Sequence, residues 1–347
     1  MLTFLQKRWF LVALVVLIPW GMWIGFHASP ERVSTFPKHL VTIASGVLTA
    51  TVLFLMSVTL DSQKLLHSFR SPGPVLWATV VNSVVVPLTA MGLVLIQLSE
   101  DFAVGLMVAA SVPSTMAAAS VWTRKANGND AVSLLGTIVT NSTCFLVTPF
   151  WLGFGLNSSV EINVVELIWK LTITALLPIT LGQLARILPW ARTRADQRKT
   201  GFGVAAQMCI LALIFWAAVQ GGVKLQGAGS GSYSGLPALV VWGSCMALHL
   251  WGMLVAIAGA KVLKIRADDA VAVAFSASQK TLPIGVFIAS GLAANGYPFA
   301  VFPILMFHAS QLILDTLFVE PFQKWVEKEQ AVVTDKLATD LSPLTPE

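Results

Sequence analysis

Two apolar segments of this chain carry short polar interruptions that include a proline. The first is Ser111–Ser120 and the second is Ser276–Gly285. Proline removes a backbone donor and breaks a helix, which frees carbonyl groups. Such carbonyls are tolerated in an apolar environment only where protein or a wet cavity satisfies them. A single interruption is typical of a kinked helix whose hydroxyls bond to their own backbone. Two interruptions of the same kind favour a polar binding site.

Lys280 lies in the middle of the second interruption. A charge at the bilayer centre costs about 2.5–3.5 kcal/mol on insertion scales, so such a group persists where it has a partner or a function. Two compatible interpretations stay open. The ammonium satisfies carbonyls at broken helix ends, or it attracts an anionic substrate or exchanges a proton. The neighbouring Gln279, Thr281, Ser114 and Thr115 are predicted to bind substrate at the same site.

The other ionisable residues in apolar segments suggest mainly structural roles. Asp315 is predicted either to pair with the buried lysine or to cap a water-filled funnel. His249 and His308 favour interhelical hydrogen bonds over a proton relay. Glu166 and Lys170 have the i, i+4 spacing of a helical ion pair and are expected at a membrane interface.

The composition places these residues in a membrane protein. Of the 347 residues, 56% are hydrophobic and 11% are charged, whereas soluble domains carry about 25% charged residues. A helical span needs about 20 apolar residues, and such runs recur along nearly the whole chain. We therefore predict an all-α membrane protein without a soluble catalytic domain, with ten transmembrane helices near residues 9–27, 41–60, 74–98, 102–123, 130–154, 163–188, 202–221, 236–262, 268–293 and 297–321.

The positions of Lys and Arg predict the orientation of these helices. With the N-terminus in the cytoplasm, seventeen of the 22 basic residues fall on the cytoplasmic side, as the positive-inside rule requires. Both termini are then cytoplasmic and the expected location is the inner membrane. The net charge of +5 follows from this asymmetry, so the lipid bilayer is the expected surrounding and no nucleic-acid partner is needed.

An internal repeat is indicated by matching features in the two halves. Transporters are often inverted repeats with discontinuous helices at their interface. Leu17-Ile18-Pro19 in span one corresponds to Leu177-Pro178-Ile179 in span six, and the prolines closing spans five and ten also correspond. The polar interruptions fall in spans four and nine. We predict a five-plus-five inverted repeat, divided into 1–155, 156–322 and a cytoplasmic tail at 323–347.

Several of these segments resemble the bile acid:sodium symporter family, in its prokaryotic branch that also resembles a vertebrate orphan member. The resemblance covers roughly residues 9–322. It is carried by Phe54–Leu60, Asn82 before Pro87, Pro113, Ser120-Val121-Trp122-Thr123, Asn127-Gly128-Asn129, Ser133, Thr137 and Thr148-Pro149.

The resemblance implies a ten-helix fold with a panel domain and a core domain, in which discontinuous helices four and nine cross. It also implies secondary transport of organic anions, typically with sodium. The first sodium site implied comprises Ser120, Ser133 and Thr137. The second implied site comprises Asn82 and Gln279.

This chain departs from the family's pattern at helix nine. The family's shared carboxylate stands four residues before Gln279, where this chain has Phe275. Lys280 stands where relatives carry an amide. Replacing one carboxylate and adding one ammonium changes the local formal charge from −1 to +1. We therefore expect weaker dependence on sodium than in relatives that keep the carboxylate.

Three functional hypotheses follow. The first is a secondary active transporter of a small organic anion by alternating access, coupled to sodium or protons. The alternative is a non-transporting membrane sensor or regulatory protein. An intramembrane enzyme is the least favoured, because the chain lacks HExxH, GxSxG and an intramembrane Asp pair. No cofactor is expected apart from Na+ as a coupling ion, and no obligatory protein partner is indicated.

Overall fold

The computed structural model describes residues 9–28, 38–60, 72–116, 118–156, 163–226 and 235–341. This part of the chain is helical and contains no strand. The basic residues at 7, 8, 32, 64 and 70 and most of the Gly/Ser segment before 235 lie outside the described residues. The longer helices and their parts are α1 Trp9–His27, α2 Lys38–Val58, α3 Pro72–Val94, α4a Glu100–Ser111, α4b Ala118–Lys125, α5 Asp130–Gly155, α6 Val164–Ala185, α7 Lys199–Leu225, α8 Leu236–Val262, α9a Ala267–Ser278, α9b Leu282–Ala294 and α10 Val301–Leu341. A short helix, Pro189–Gln197, connects α6 to α7, and a 3-10 turn, Pro298–Ala300, precedes α10.

The helices have the length and apolarity of membrane spans. Among the described residues, eight candidate spans are long and apolar enough to cross a bilayer, with α9a and α9b counted together. α1 is a shorter apolar helix, and α4 is divided into pieces of 12 and 8 residues. Every predicted span coincides with a described helix or helix pair. The chain is a multi-pass helical membrane protein.

Two helices contain a π-helical turn just before a proline. In α3 the turn is Val81–Val85, and Pro87 follows. The amide of Val86 donates to the carbonyl of Val81, and Pro87 has no N–H to continue the ladder. Pro87 therefore cannot bond to Asn82 five residues back or to Ser83 four residues back, and the carbonyl of Ser83 accepts the indole N–H of Trp151 at 2.6 Å. In α6 the corresponding turn is Thr172–Leu176, before Pro178.

Glycine allows α1 and α7 to pack closely. A methyl group at Gly25 would overlap the carbonyl of Val219, and one at Gly222 would overlap the carbonyl of Met22. Close packing of this kind is typical of membrane helix pairs, where van der Waals contact replaces a hydrophobic driving force. α2 packs against α6 and α7, whereas α8 packs against α9a and α10, and α5 packs against α4b and α9a.

Polar contacts between the ends of the described helices fall into two groups at opposite ends of the bundle. At the first, which we term the basic end, the side-chain amide of Asn129 before α5 donates to Asp269 of α9a at 2.8 Å. The carboxylate of Glu329 on α10 accepts from the amide of Ala267 at 3.1 Å. At the opposite end, Lys224 of α7 pairs with Asp101 of α4a at 2.9 Å. Consecutive helices therefore alternate in direction.

The last helix extends further than the sequence suggested. α10 continues through Pro321 to Leu341, so most of the segment predicted as a tail is an extension of this helix. Gln323 on this extension donates to the carbonyl of Lys125 at 2.6 Å. The extension thus covers the end of α4b, and residues 342–347 lie outside the described part of the chain.

Candidate functional site

The two interrupted helices meet at their breaks. α4a ends at Ser111 and the chain is extended at Val112, while α9a ends at Ser278 and α9b begins at Leu282. The amide of Thr281 donates to the carbonyl of Pro113 at 2.8 Å. The hydroxyl of Thr115 donates to the side-chain oxygen of Gln279. These contacts confirm the predicted breaks and their approach; Ala117 lies outside the described residues.

Amide side chains from neighbouring helices satisfy the freed backbone of both breaks. Asn141 of α5 donates to the carbonyls of Ser114 and Thr137, both at 2.8 Å. Gln311 of α10 accepts from the amide of Lys280 at 2.9 Å and donates to its carbonyl at 3.2 Å. Buried polar groups need such partners. Neither amide was predicted as part of the site, although a lone Asn or Gln in an apolar span is a usable signal.

Asn82 of α3 binds the end of α9a. Its Nδ2 donates to the carbonyls of Ala277 and Gln279, each at 3.0 Å, and to that of Ser276 at 3.4 Å. The two residues predicted for a second ion site, Asn82 and Gln279, therefore do come together. Their contact is a hydrogen bond from the Asn82 amide, which leaves Asn82 Oδ1 available to another donor.

Lys280 is 3% exposed and directs its ammonium into the protein. Nζ donates to the backbone carbonyl of Asn82 at 2.7 Å, to Asn82 Oδ1 at 3.3 Å and to the carbonyl of Val112 at 3.0 Å. Three accepting oxygens match the three N–H bonds of an ammonium. The ion pairs found among the described residues do not include Lys280.

Asp315 has partners different from those predicted. Its carboxylate is fully buried and contacts His249 Nε2 at 3.0 Å and Gln279 Nε2 at 2.6 Å. Asp315 does not pair with Lys280, because Gln279 lies between the two side chains. Since Asp315 is fully buried, it does not cap a water-filled funnel either. His249 also contacts the carbonyl of Ser278 at 3.2 Å, which agrees with an interhelical role. His308 contacts Gln311 on its own helix at 2.9 Å and also a backbone group of Lys280 in the α9 break.

A cavity of about 430 Å³ extends from the breaks to the basic end. Its inner wall includes Ala118 and Ser120 of the first turn of α4b, and Leu282 and Pro283 of the first turn of α9b. Helix N-termini favour anions, since their amides and dipoles present partial positive charge. Its outer wall carries two cations and one anion, Arg124, Lys199 and Asp130, of which Arg124 and Asp130 lie 3.7 Å apart.

The predicted substrate residues divide between this cavity and the interior behind it. Thr115 and Thr281 line the cavity, whereas Lys280, Gln279 and Ser114 do not. The charged residues of the outer wall were not predicted as ligands. They stand at span ends, where a basic residue by itself indicates only the orientation of the helix.

The residues predicted for a first ion site lie on both sides of the same wall. Ser120 lines the cavity. Thr137 donates to the carbonyl of Ser133 at 2.8 Å and contacts that of Thr115 at 3.4 Å. Within the described part of the chain, the buried hydroxyl of Ser133 has no hydrogen-bond partner. Hydroxyl and carbonyl oxygens of this kind suit a hard cation, but none of these three residues carries a negative charge.

A second cavity of about 270 Å³ lies toward the opposite end. Its wall includes Ser45 of α2, Lys170 of α6 and Phe287 of α9b. Lys170 pairs with Glu166 at 2.6 Å, which confirms the predicted i, i+4 ion pair. α2 and α9b border both cavities, so the same two helices separate one from the other.

Comparison with known proteins identifies the family of this chain. A model of the SBF-like CPA transporter family matches residues 8–324. The chain belongs to this family. Its predicted resemblance to bile acid:sodium symporters is thereby confirmed, and the family is one of membrane transporters.

Individual relatives are distant but extend over much of the chain. Sodium/bile acid cotransporter 7 of Danio rerio is 22% identical, over 95% of this chain and 97% of its own length. A chloroplastic Oryza sativa protein named as a sodium/metabolite cotransporter, BASS4, is 27% identical over 68% of this chain and 58% of its own. An Escherichia coli protein named as a symporter, YfeH, is 25% identical over 65% of this chain and 67% of its own.

Proposed function

We propose that this protein is a secondary active transporter of a small organic anion that works by alternating access. The observation that carries the proposal is the cavity of about 430 Å³ whose inner wall is formed by the first turns of α4b and α9b. Helix N-termini at a break are the sites where discontinuous-helix transporters hold anionic groups. The volume lies in the range of small-molecule sites, and its outer wall carries one more cation than anions.

The packing supports a five-plus-five inverted repeat with a panel and a core. α4 and α9 are both broken, and each break is bonded to an amide on the following helix, Asn141 on α5 and Gln311 on α10. α1, α2, α6 and α7 pack mainly on one another, as do α3, α4, α5, α8, α9a and α10. We assign the first group to the panel and the second to the core, whose relative movement would expose the breaks to either side.

We further propose that the basic end faces the cytoplasm of a cell whose inner membrane holds the protein. Arg124, Arg186, Lys199 and Lys264 all lie at helix ends on that side, as the positive-inside rule expects. Reporter fusions after Lys64, Arg194 and Lys264 should report cytoplasm, and fusions after Glu100 and Gly229 should report periplasm. A reversed result at any one of these positions would contradict the ten-span topology.

Binding of anions by purified protein is the experiment that tests the substrate class. A panel of organic anions, each with a neutral analogue, should be screened for increases in apparent Tm, with sodium and with choline as the counterion. We expect stabilisation by an anion and none by its neutral analogue.

A matched pair of variants shows whether the cavity binds that anion. Lys199→Gln removes a cation from the wall, so it should weaken the apparent affinity by about five- to tenfold. Arg194→Gln removes an exposed cation from the same end, outside the wall, and should leave the affinity unchanged. Stabilisation by neutral analogues alone would overturn the proposed anion site. An equal loss of anion affinity in both variants would overturn it as well.

A further inference from the structure

We infer that the ammonium of Lys280 is a tethered cation that permanently occupies a cation site between α3 and the break of α4. The role of this cation in a transport cycle rests on the transport function proposed above, whereas the tests described below measure ion binding alone. Lys280 thereby has a role distinct from direct contact with an anionic substrate.

The first support is the chemistry of the atoms around Nζ. All three partners are uncharged oxygens, two carbonyls and one amide, at 2.7, 3.0 and 3.3 Å. A lysine kept in the interior to neutralise a carboxylate would face that carboxylate, yet the buried Asp315 is bonded to His249 and Gln279 instead. Uncharged oxygens in a buried cluster are the ligands that hold a monovalent cation stripped of its water.

The second support is the origin of these oxygens. The carbonyl of Asn82 lies in the π-turn of α3, where its partner five residues on would be Pro87, which has no N–H. The carbonyl of Val112 lies at the C-terminal end of α4a, where the helix dipole is negative. Freed carbonyls and half-helix C-terminal ends are the groups that hold coupling cations in transporters with discontinuous helices.

The third support is the position of Lys280 relative to the cavity. Thr281 lines the cavity, but Lys280 does not, and its side chain is nearly completely buried. The charge therefore lies behind the break, where it contacts α3 and α4 rather than solvent. Because the cation is covalently attached to the α9 break, it moves with that segment and is neither taken up nor released. This site then requires no sodium from solution.

Removal of the side chain should expose the site to ions. In Lys280→Ala, three uncharged oxygens would line the inner end of the space left by three methylene groups and the ammonium. We expect ammonium, methylammonium or potassium at millimolar concentration to raise the apparent Tm of this variant by about 3 °C or more, in a saturable manner. The wild type should show no such response at constant ionic strength, with choline as the reference ion.

Two control variants distinguish a cation site from a merely structural lysine. Lys280→Met fills the space with an apolar chain and should remain unresponsive to ions. Lys170→Ala removes a lysine from a half-exposed ion pair and reports any general effect of salt. If Lys280→Ala is purified as a monodisperse protein and no cation stabilises it, or if Lys280→Met responds equally, the inference is wrong.

A measurement on Asn82 tests the inference even if Lys280→Ala does not fold. If Lys280 fills the site, replacing choline with sodium should not raise the apparent Tm of the wild type by binding at this site. If sodium stabilises the wild type and Asn82→Ala abolishes that effect, a solvent cation binds there and the inference fails. Because these assays measure ion binding alone, their outcome is independent of whether an organic anion is transported.

Discussion

Two buried charged residues are held on opposite sides of the α9 break. The ammonium of Lys280 contacts carbonyls of α3 and α4, while the carboxylate of Asp315 contacts His249 of α8 and Gln279. Gln279 joins the two sides, because its backbone carbonyl accepts from Asn82 and its side chain donates to Asp315. A buried charge persists only with such hydrogen-bonded partners. These side chains therefore fix the shape of the break before any ligand binds.

The carboxylate of Asp315 should be essential for this arrangement. Asp315→Ala leaves the side-chain amide of Gln279 and the ring of His249 without their acceptor in a fully buried place. Each unsatisfied buried group costs about 1–3 kcal/mol, so we expect the apparent Tm to fall by about 5 °C or more. Glu166→Ala is the control, because this carboxylate belongs to a half-exposed pair and such pairs contribute little. Equal Tm values for the two variants would contradict this account.

The sequence predicts which residues matter at the break better than it predicts their partners. Lys280 and Gln279 are recognisable because polar and ionisable residues are rare in apolar spans. The acceptors of Lys280 are backbone carbonyls, which every residue carries, so their availability depends on the local geometry of α3 and α4. Asp315 was assigned wrongly for the same reason: its partner depends on which face of α10 meets α8, and a single sequence does not contain that information.

At the scale of whole helices, proline has different effects in different places. Pro113 stands in a true break, Pro87 and Pro178 follow π-turns, and Pro149 and Pro321 lie inside continuous helices. The breaks were predictable because proline there is combined with several small and hydroxyl residues. The π-turns were not, since the residues around Pro87 are as apolar as those around Pro149. Tertiary partners such as the indole of Trp151, which binds a freed carbonyl of α3, decide between these outcomes.

Restoring the backbone N–H that Pro87 lacks in α3 should disturb the site. Pro87→Ala provides an N–H that competes with Lys280 for the carbonyl of Asn82 and with Trp151 for that of Ser83. We expect anion binding and uptake to fall at least tenfold while helical content by circular dichroism stays unchanged. Pro178→Ala is the matched control, because it follows the same kind of π-turn in α6, away from the breaks. Equal effects of both variants would show that the proline acts on general stability alone.

Of the two cavities described above, the larger lies at the basic end, and a set of polar contacts joins α7 to α4a at the opposite end. Lys224 of α7 bridges Asp101 of α4a at 2.9 Å and the carbonyl of Gly296, between α9b and α10, at 2.6 Å. Asp101 also accepts from the amide of Phe299 at 2.8 Å. These bonds join the proposed panel to the proposed core at the end opposite the large cavity. On the proposed alternating-access mechanism, this contact would hold the panel and the core together at that end.

Weakening this contact should favour opening at the far end. Lys224→Met removes the charge that bridges α7 to α4a, so the smaller cavity should become more accessible. A cysteine introduced as Ser45→Cys in the wall of that cavity reports this by its rate of reaction with a membrane-impermeant maleimide. We expect the rate to rise at least threefold in Lys224→Met. Lys324→Met, which breaks an exposed pair at the other end, should leave it unchanged, and a fall in rate with Lys224→Met would contradict the assignment.

Uptake of a labelled organic anion by the purified protein in liposomes is the most direct test of transport. The anion is one that stabilises the protein in the binding screen, and uptake is measured under imposed sodium and pH gradients. We predict saturable uptake above protein-free liposomes, reduced in Lys199→Gln and only weakly dependent on sodium. A protein that binds the anion but gives no saturable flux under any gradient would contradict the account and favour a non-transporting sensor.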